Sequence, residues 1–421
     1  MKTLLARGAQ WNWALLDQAL VSGTNFLMGV LLVRYLGFEQ YGLFVLAWMA
    51  VQFVMGVQNA LIVSPMMSIA PKLSGTRRSG YYAATFRLQT LLIALAALLV
   101  AALSLIPTVY RPQWLADGAT LPLVSCMVFL QLQDFLRRNL FSRLASQRAF
   151  YVDLIAYGAQ LPLMLMVVAV YPSFQAALLS IVAAMLVSIL VGGRWLPRAE
   201  GQALNTRDVA VRHWRSSRWL LGSTLLQWLS DNYFLIIAGV VLGPAAVGAI
   251  RGAQNLLALT HIFFLGLENV VPGEASQRFH QGGIPALRSY LVRIGLALLA
   301  STGLVAALAA QFSRPLLNLA YGAADPVSIE ALGWYVPIYL LVALALPLRA
   351  GLRTLEQTRA IFFAYVLGTT FALLAARALV TDFGVAGVMF GILFNQVVMM
   401  IVLMTSLGLA CRSERPALEH R

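Results

Sequence analysis

Twelve apolar segments of about 20 residues follow one another along this chain of 421 residues. A helix needs about 20 residues to cross the hydrocarbon core of a bilayer. The segments lie at 13–35, 42–64, 88–106, 118–136, 150–170, 174–192, 219–241, 247–269, 290–311, 330–348, 361–380 and 384–407. Their length and the lack of period-two alternation predict helices rather than strands. The chain is therefore predicted to be an all-α polytopic membrane protein.

The composition supports this prediction. Hydrophobic residues make up 60% of the chain and charged residues 11%, with a mean hydropathy of +0.79, whereas a soluble chain is about 45–50% apolar and about 25% charged. Cys126 and Cys411 are far apart and form no cluster with the four histidines, so neither a disulfide framework nor a metal site is indicated. The net charge of +14 fits topology and contact with anionic lipid headgroups better than nucleic-acid binding.

The basic residues predict the orientation of the chain. If the N-terminus is cytoplasmic, 25 lysines and arginines fall on the inner side and four on the outer side, while Arg251 lies inside a segment. Such an excess is typical of cytoplasmic loops. Both termini are therefore predicted to be cytoplasmic.

The two halves of the sequence resemble each other. Six matches follow in order at offsets between 203 and 212, among them Leu36-Gly37 with Leu242-Gly243, Arg87 with Arg293, Gly118 with Gly322, Arg137 with Arg349, and Arg148 with Arg359. Because each half has six segments, both halves insert with the same orientation, as in transporters built from parallel repeats. The prediction is two parallel six-helix bundles (1–200 and 219–421) around a central cavity, joined by a basic cytoplasmic linker (201–218). A duplication kept only for packing is the alternative.

Ionisable residues inside the apolar segments are candidate functional residues, because a charge at bilayer depth costs several kcal/mol. Asp231 lies near the middle of its segment, and Asn25 is its counterpart in the first half. Asp231 is interpreted as a cation site, a proton site or the partner of Arg251. For both residues the alternative is a hydrogen bond that only holds helices together.

Four further residues lie near the ends of their segments. Arg251 either reaches outward to the interface or faces a cavity, where its guanidinium can bind a phosphate. Arg34 is interpreted as an interfacial anchor that could join the same rim. Glu268 and Asp17 lie near cytoplasmic ends and are, with Asp231, the candidate ion-coupling residues. For Asp17 an interfacial position is an equal alternative.

Charged residues at the predicted inner side have two interpretations. Arg87 and Arg293 begin the third segment of each half, either as a symmetric basic mouth for an anionic headgroup or as topology determinants. Asp134 and Asp153 flank the basic loop 137–148 and are expected to form surface ion pairs.

Sequence motifs of enzymes are absent. The chain has no Walker phosphate loop, no Gly-rich dinucleotide fingerprint, no Gly-x-Ser-x-Gly and no His-Glu-x-x-His. We therefore expect a transporter without a cofactor, driven by an ion gradient, by the membrane potential or by the gradient of its own substrate.

Three runs resemble the polysaccharide (O-antigen and exopolysaccharide) flippase branch of the multidrug/oligosaccharidyl-lipid/polysaccharide exporter superfamily: Val33-Arg34-Tyr35-Leu36-Gly37-Phe38-Glu39-Gln40-Tyr41-Gly42, Gly248-Ala-Ile-Arg251-Gly-Ala-Gln-Asn255 and Glu268-Asn269-Val-Val-Pro272. The resemblance implies a flippase that moves an undecaprenyl-pyrophosphate-linked oligosaccharide across the bacterial inner membrane by alternating access, for lipopolysaccharide or exopolysaccharide synthesis. It implies cavity roles for Arg34, Asp231 and Arg251. Asn255 and Glu268 are further candidate cavity residues, and H⁺ or Na⁺ is the expected coupling ion. Membrane lipids and polysaccharide polymerase or assembly proteins would be its further partners.

Two other functions compete with the flippase. A cation-coupled multidrug exporter on the same scaffold would need acidic cavity residues, which Asp231 and Glu268 supply and which Arg251 opposes. A membrane enzyme such as a polysaccharide polymerase or ligase would need a large outer loop, and the longest predicted outer loop is only 312–328. Nucleic acid is not expected as a partner.

Overall fold

The computed structural model describes residues 2–107, 111–115, 118–196, 204–357 and 359–413, with the side chains at 2–12, 14–15, 258–263, 265–266, 268–269 and 413 outside that description. The regular structure within these ranges is helical. The α-helices are α1 (Lys2–Gln58), α2 (Ser64–Ile69), α3 (Gly75–Ser104), α4 (Thr120–Ser142), α5 (Ser146–Val170), α6 (Phe174–Gly192), α7 (Thr206–Val241), α8 (Pro244–Leu256), α9 (Ala258–Gln311), α10 (Ser313–Tyr321), α11 (Pro326–Thr354) and α12 (Arg359–Ser413).

Eight helices in the described part of the chain are long and apolar enough to cross a membrane. Three of them change direction at a glycine with positive φ: Gly37 in α1, Gly283 in α9 and Gly384 in α12. Of these, α1 and α12 each hold two of the predicted segments. Another predicted segment lies on α4, and one lies on α8 and the first turns of α9. The predicted all-helical polytopic membrane fold is therefore confirmed.

The chain divides into two compact units, unit 1 (Met1–Leu225) and unit 2 (Leu226–Arg421). In unit 1, α1, α4, α5 and α6 pack against one another. In unit 2, α11 is the central helix and contacts α8, α9 and α12, around a core that includes Leu352, Tyr365 and Leu403. The predicted bundle boundaries and the linker at 201–218 stay a prediction, and residues 206–218 form the first turns of α7.

Equivalent glycines of the two halves share one backbone conformation. Gly37 has φ 77° and ψ 172°, and Gly243 has φ 89° and ψ 169°. Side chains with a Cβ rarely adopt such angles, so this conformation favours glycine in both halves. The Leu-Gly match found in the sequence thus corresponds to one turn made twice.

The ends of α4 and α11 show the same correspondence. Leu144 and Glu356 follow these helices with φ of 61° and 58°. Each end is closed by a backbone bond that spans five residues, from Ala145 N to Leu140 O at 3.0 Å and from Gln357 N to Leu352 O at 2.8 Å. This is the Schellman ending of a helix. The repeat seen in the sequence is therefore also present in the backbone.

Candidate functional site

Unit 2 contains a cavity of about 420 Å³ between α7, α8, α9, α11 and α12. This volume lies within the range of small-molecule sites, about 300–1,000 Å³. The polar residues that line it are Gln227, Ser230, Asp231, Asn232, Arg251, Gln254, Arg349, Asn395 and Gln396. A polar cavity inside a bundle of apolar helices is where a membrane protein places its functional groups.

The guanidinium of Arg251 is held by two amide side chains. Its Nη2 donates to Oδ1 of Asn232 at 2.9 Å, and its Nη1 donates to Oε1 of Gln254, one turn further along α8. Asn232 is itself oriented, because its Nδ2 donates to the carbonyl of Trp228 at 2.8 Å. These bonds fix the side chain within the cavity without neutralising its charge, and the alternative that Arg251 reaches outward does not hold.

Asp231 lies beside Asn232 on α7, and its side chain remains exposed to the cavity. The carboxylate accepts a hydrogen bond from Gln227 and lies within electrostatic range of Arg349 and Arg251. Arg349 comes from α11, where its Nε points to the carbonyl of Ala345 at 3.4 Å. The cavity therefore contains two guanidinium groups and one carboxylate among its described side chains.

Aromatic and aliphatic side chains complete the cavity wall. Tyr335 and Tyr339 meet edge to face, with ring centroids 5.8 Å apart, and Tyr365 lies on the α12 side. Asn395 fixes α12 against α7, since its Nδ2 donates to Oγ of Ser230 at 2.8 Å and to the Ser230 carbonyl at 3.1 Å. The cavity can thus bind a compound that combines a polar group with an apolar body.

Unit 1 contains a buried ionic cluster built on Arg137 of α4. The guanidinium forms ion pairs with Asp17 of α1 and Asp153 of α5, whose side chains are 2% and 0% exposed. Nε2 of Gln133 donates to Oδ1 of Asp153 at 2.7 Å, and Asp134 lies 4.0 Å from Arg137. One guanidinium thus faces two fully buried carboxylates, so the expectation that Asp153 is a surface ion-pair partner is wrong.

Several buried polar atoms of unit 1 have no hydrogen-bond partner among the described residues. They include Oδ1 of Asp17, Oε1 of Gln58 and both side-chain polar atoms of Gln89 and of Gln131. Buried polar atoms normally have partners, so such a group points to a strained or functional region. The first half of the chain therefore has its own polar interior, rich in oxygen acceptors.

The structure brings together only part of the predicted site. Asp231 and Arg251 line the unit 2 cavity, and Asp17 belongs to the ionic cluster of unit 1. The remaining predicted residues lie elsewhere: Asn25 and Arg34 are exposed on α1, Arg87 is exposed on α3, Arg293 is exposed on α9, and Asn255 is half-buried at the end of α8. The side chain of Glu268 lies outside the described residues. The functional roles of all these residues stay a prediction.

Sequence reasoning missed residues of both sites. The predicted segment 330–348 ends before Arg349 and so places this residue in a cytoplasmic loop, whereas α11 continues to Thr354. Gln254 and the cavity tyrosines carry no charge, so the sequence alone does not distinguish them from residues that only pack between helices. The repeat was the available indication for Arg349, because it matches Arg349 with Arg137.

Comparisons with known proteins support this fold. Residues 220–377 match the MatE family model, and no curated protein matches the chain. Structures of a multidrug resistance MATE family transporter of the MOP superfamily are similar: the inward-facing conformation has a TM-score of 0.65 at 14% identity, covering 98% of this chain and 96% of that chain. The outward-facing conformation has a TM-score of 0.62 at 15% identity, covering 97% and 94%.

A further similar structure is a MOP superfamily transporter from Pyrococcus furiosus, described as having a binding pocket of reverse polarity that suggests a different function. Its TM-score is 0.60 at 15% identity, and the alignment covers 96% of this chain and 94% of that chain. The likeness extends over nearly the full length of both chains, so it concerns the whole fold.

The expectation of a lipid-linked oligosaccharide flippase is wrong. The MatE match and the multidrug transporter structures support the alternative, a multidrug exporter, and nothing supports the polysaccharide branch. The physical reason is that the first resembling run, residues 33–42, contains the turn at Gly37, which Gly243 repeats in the second half. This run therefore reflects the scaffold and not the cargo.

The prediction of a transporter rather than an enzyme is confirmed by the family match. The matched segment contains α8 and α11 completely, together with most of the cavity lining. Residues 220–377 thus carry the MatE family pattern, on a chain that has the fold of a MOP-superfamily transporter over 98% of its length.

Proposed function

We propose that the protein is a cation-coupled multidrug exporter that works by alternating access. The observation that carries the proposal is that the MatE match at 220–377 covers most of the residues that build the unit 2 cavity. The cavity has the mixed wall that amphipathic compounds require, with tyrosines beside convergent polar groups. The cargo site is accordingly assigned to the unit 2 cavity.

The ion-coupling site is assigned to the cluster of Asp17, Arg137 and Asp153 in unit 1. Two carboxylates facing one guanidinium leave an excess of one negative charge, which a single proton removes. The guanidinium already lies between the carboxylates and would repel a sodium ion from that position. We therefore propose H⁺, rather than Na⁺, as the coupling ion. Asp231 and Glu268 remain the alternative coupling residues.

Transport by the purified full-length chain in liposomes tests this proposal. Aromatic probes of both charges, ethidium and 1-naphthalenesulfonate, are offered under an imposed pH gradient and under an imposed sodium gradient. We expect probe movement to follow the pH gradient, and to be lost in Asp17→Asn and in Asp153→Asn. Asp382→Asn changes an exposed carboxylate on α12 and serves as the matched control.

Each outcome of this experiment decides one part of the proposal. Movement that follows sodium and not protons would reject the proton while keeping the exporter. Movement of neither probe under either gradient would reject export. A melting temperature measured on each variant separates loss of coupling from loss of folding, because a variant that unfolds cooperatively above the assay temperature is folded during the assay.

We also propose that the multi-pass chain lies in a bacterial inner membrane with both termini cytoplasmic. The 25 basic residues of the predicted inner side would then face anionic lipid headgroups. Single cysteines introduced at residues 4 and 418 into a chain without its own two cysteines test the orientation. Both should react with a membrane-impermeant maleimide only after the cells are opened, and labelling in intact cells would contradict the assignment.

A further inference from the structure

We propose that the unit 2 cavity binds an amphipathic organic anion, with Arg251 and Arg349 as the residues that bind its carboxylate, sulfonate or phosphate group. The inference rests on the proposed function only in that this compound would be the cargo of the exporter. Binding itself requires no transport. The proposal names the charge of the cargo, which the family match leaves open.

The first argument is the charge of the cavity. Its described lining residues supply two guanidinium groups, from Arg251 and Arg349, against one carboxylate, from Asp231. Among the residues that the structure describes, the ion pairs all lie in unit 1, so neither cavity arginine is paired with a carboxylate. A cavity with this balance attracts an anion and repels a cation.

The second argument is the number of free donors. A guanidinium has five N–H groups. Arg251 uses one on Asn232 and one on Gln254, and these amides fix the plane of the group. Arg349 directs only its Nε to a described acceptor, the carbonyl of Ala345. Each arginine therefore retains N–H groups for the two parallel bonds by which guanidinium binds carboxylate or phosphate.

The third argument is the apolar remainder of the wall. Tyr335, Tyr339 and Tyr365 lie beside aliphatic side chains of α7, α11 and α12, among them Leu235 and Ile338. Aromatic side chains contribute a large apolar contact area to a binding site. A small inorganic anion would leave this surface without contacts, and an apolar compound would leave the guanidinium groups without acceptors. The wall therefore suits an anion that carries an apolar body.

A substitution of Asp231 should change anion binding in the opposite direction from a substitution of either arginine. Its carboxylate lies within electrostatic range of both arginines and so competes with a bound anion for them. Removing this charge should strengthen anion binding, while removing either arginine should weaken it. A residue that only holds the helices together would not produce opposite effects of this kind.

The test compares two probes that share one naphthalene body and differ in charge: 1-naphthalenesulfonate and 1-naphthylmethylammonium. Binding to the purified full-length protein is measured by calorimetry in nanodiscs of neutral phosphatidylcholine, so that no lipid charge contributes. The variants are Arg251→Gln, Arg349→Gln and Asp231→Asn. The matched control is Arg377→Gln, which changes an exposed arginine of α12 outside the cavity.

We expect the sulfonate to bind the wild type about tenfold more tightly than the ammonium probe, because each charge-assisted hydrogen bond contributes about 1.5–3 kcal/mol, which corresponds to about tenfold or more in affinity. Arg251→Gln and Arg349→Gln should each weaken sulfonate binding by about tenfold. Asp231→Asn should strengthen it by roughly threefold through loss of the opposing charge. Arg377→Gln should bind like the wild type.

Tighter binding of the ammonium probe, or unchanged sulfonate binding in both arginine variants, would overturn the proposal. Failure of the exporter is distinguishable from failure of this inference. If the sulfonate binds to the cavity but is not transported in liposomes, the result contradicts the proposed export and leaves the anion site standing. If ethidium is exported while the sulfonate does not bind, the result contradicts the proposed anion site and leaves the exporter standing. Melting temperatures equal to that of the wild type confirm that each variant is folded.

Discussion

One arginine is duplicated in the two halves of the molecule, and its surroundings differ. Arg137 in unit 1 and Arg349 in unit 2 are matched by the repeat at an offset of 212 residues. Arg137 is enclosed by Asp17 and Asp153 and is 15% exposed. Arg349 lines a cavity and, among the described residues, has no carboxylate at ion-pair distance. The arginine is therefore neutralised by carboxylates in the first half, whereas in the second half its positive charge is available in a cavity.

The difference arises at the positions of the partners. The repeat offsets of 206 for α1 and 211 for α5 place Ser223 and Ala364 where the first half has Asp17 and Asp153. The second half therefore kept the arginine and lacks both neutralising carboxylates. Inside a bundle of apolar helices, the neighbours of a charge decide whether it holds helices together or is available to a ligand.

The largest effect expected from this comparison is on stability. Arg137→Gln leaves Asp17 and Asp153 buried without the guanidinium, and breaking a buried ion pair by removing one partner costs about 3–5 kcal/mol. Arg349→Gln removes a charge from a water-accessible cavity and should cost about 1 kcal/mol or less. Equilibrium unfolding in detergent mixtures with increasing dodecyl sulfate measures both losses.

The neighbouring arginine supplies the control for this prediction. Arg138 is 38% exposed and its Nε lies 3.3 Å from Oδ1 of Asp134, so Arg138→Gln should cost less than about 1 kcal/mol, as exposed ion pairs do. Equal losses for Arg137→Gln and Arg349→Gln would show that the two arginines do not differ in the way proposed.

A second prediction is to rebuild the unit 1 pair in unit 2. Ala364→Asp places a carboxylate at the position equivalent to Asp153, on the helix that packs against α11. If Arg349 is free to pair, the substitution should be less destabilising in the wild type than in the Arg349→Gln background. Contacting residues show coupling energies of about 0.5–3 kcal/mol in such double-mutant cycles, and we expect about 1–2 kcal/mol.

The same variant should also weaken sulfonate binding by about tenfold, as Arg349→Gln does, because the new carboxylate neutralises Arg349. Ala364→Asn has nearly the same size without the charge and should retain most of the binding. A coupling energy near zero, together with unchanged sulfonate binding in Ala364→Asp, would mean that the two halves are not equivalent at this position.

The comparison also shows how far the sequence could predict the molecule. The helical fold and the repeat were predictable, because apolar segments of spanning length and matched turns such as Gly37 and Gly243 are local features. Asp231 and Arg251 were predictable as candidates, because charge is rare within apolar segments.

The partners of the charges were not predictable, because the rule of about 20 residues per span underestimates these helices. α4 runs over Thr120–Ser142, so Arg137 is a helical residue and not a loop residue. It pairs with Asp153, which lies two turns inside α5 (Ser146–Val170) and is buried instead of facing water. The same underestimate assigned Arg349 to a loop. Neutral groups such as Gln254 become recognisable only when the fold places them beside an arginine.

The smallest effect predicted by the comparison is the response to salt. Screening lengths fall from about 10 Å at 0.1 M to about 3 Å at 1 M ionic strength, and buried pairs are screened much less than exposed charges. Raising sodium chloride between these concentrations should therefore weaken sulfonate binding at Arg251 and Arg349 by about threefold. Binding of the ammonium probe should not weaken in this way, because the same salt also screens its repulsion from the arginines. Calorimetry measures both affinities.

The unit 1 cluster supplies the internal reference for this titration. Arg137 contacts carboxylates that are almost inaccessible to solvent, so the additional stability lost in Arg137→Gln should be nearly the same at both salt concentrations. The matched measurement is the unfolding of the wild type and of Arg137→Gln at each concentration. A stability difference that shrinks with salt as much as the sulfonate affinity does would place Arg137 in an aqueous environment. That result would remove the physical distinction between the buried arginine of unit 1 and the cavity arginines of unit 2.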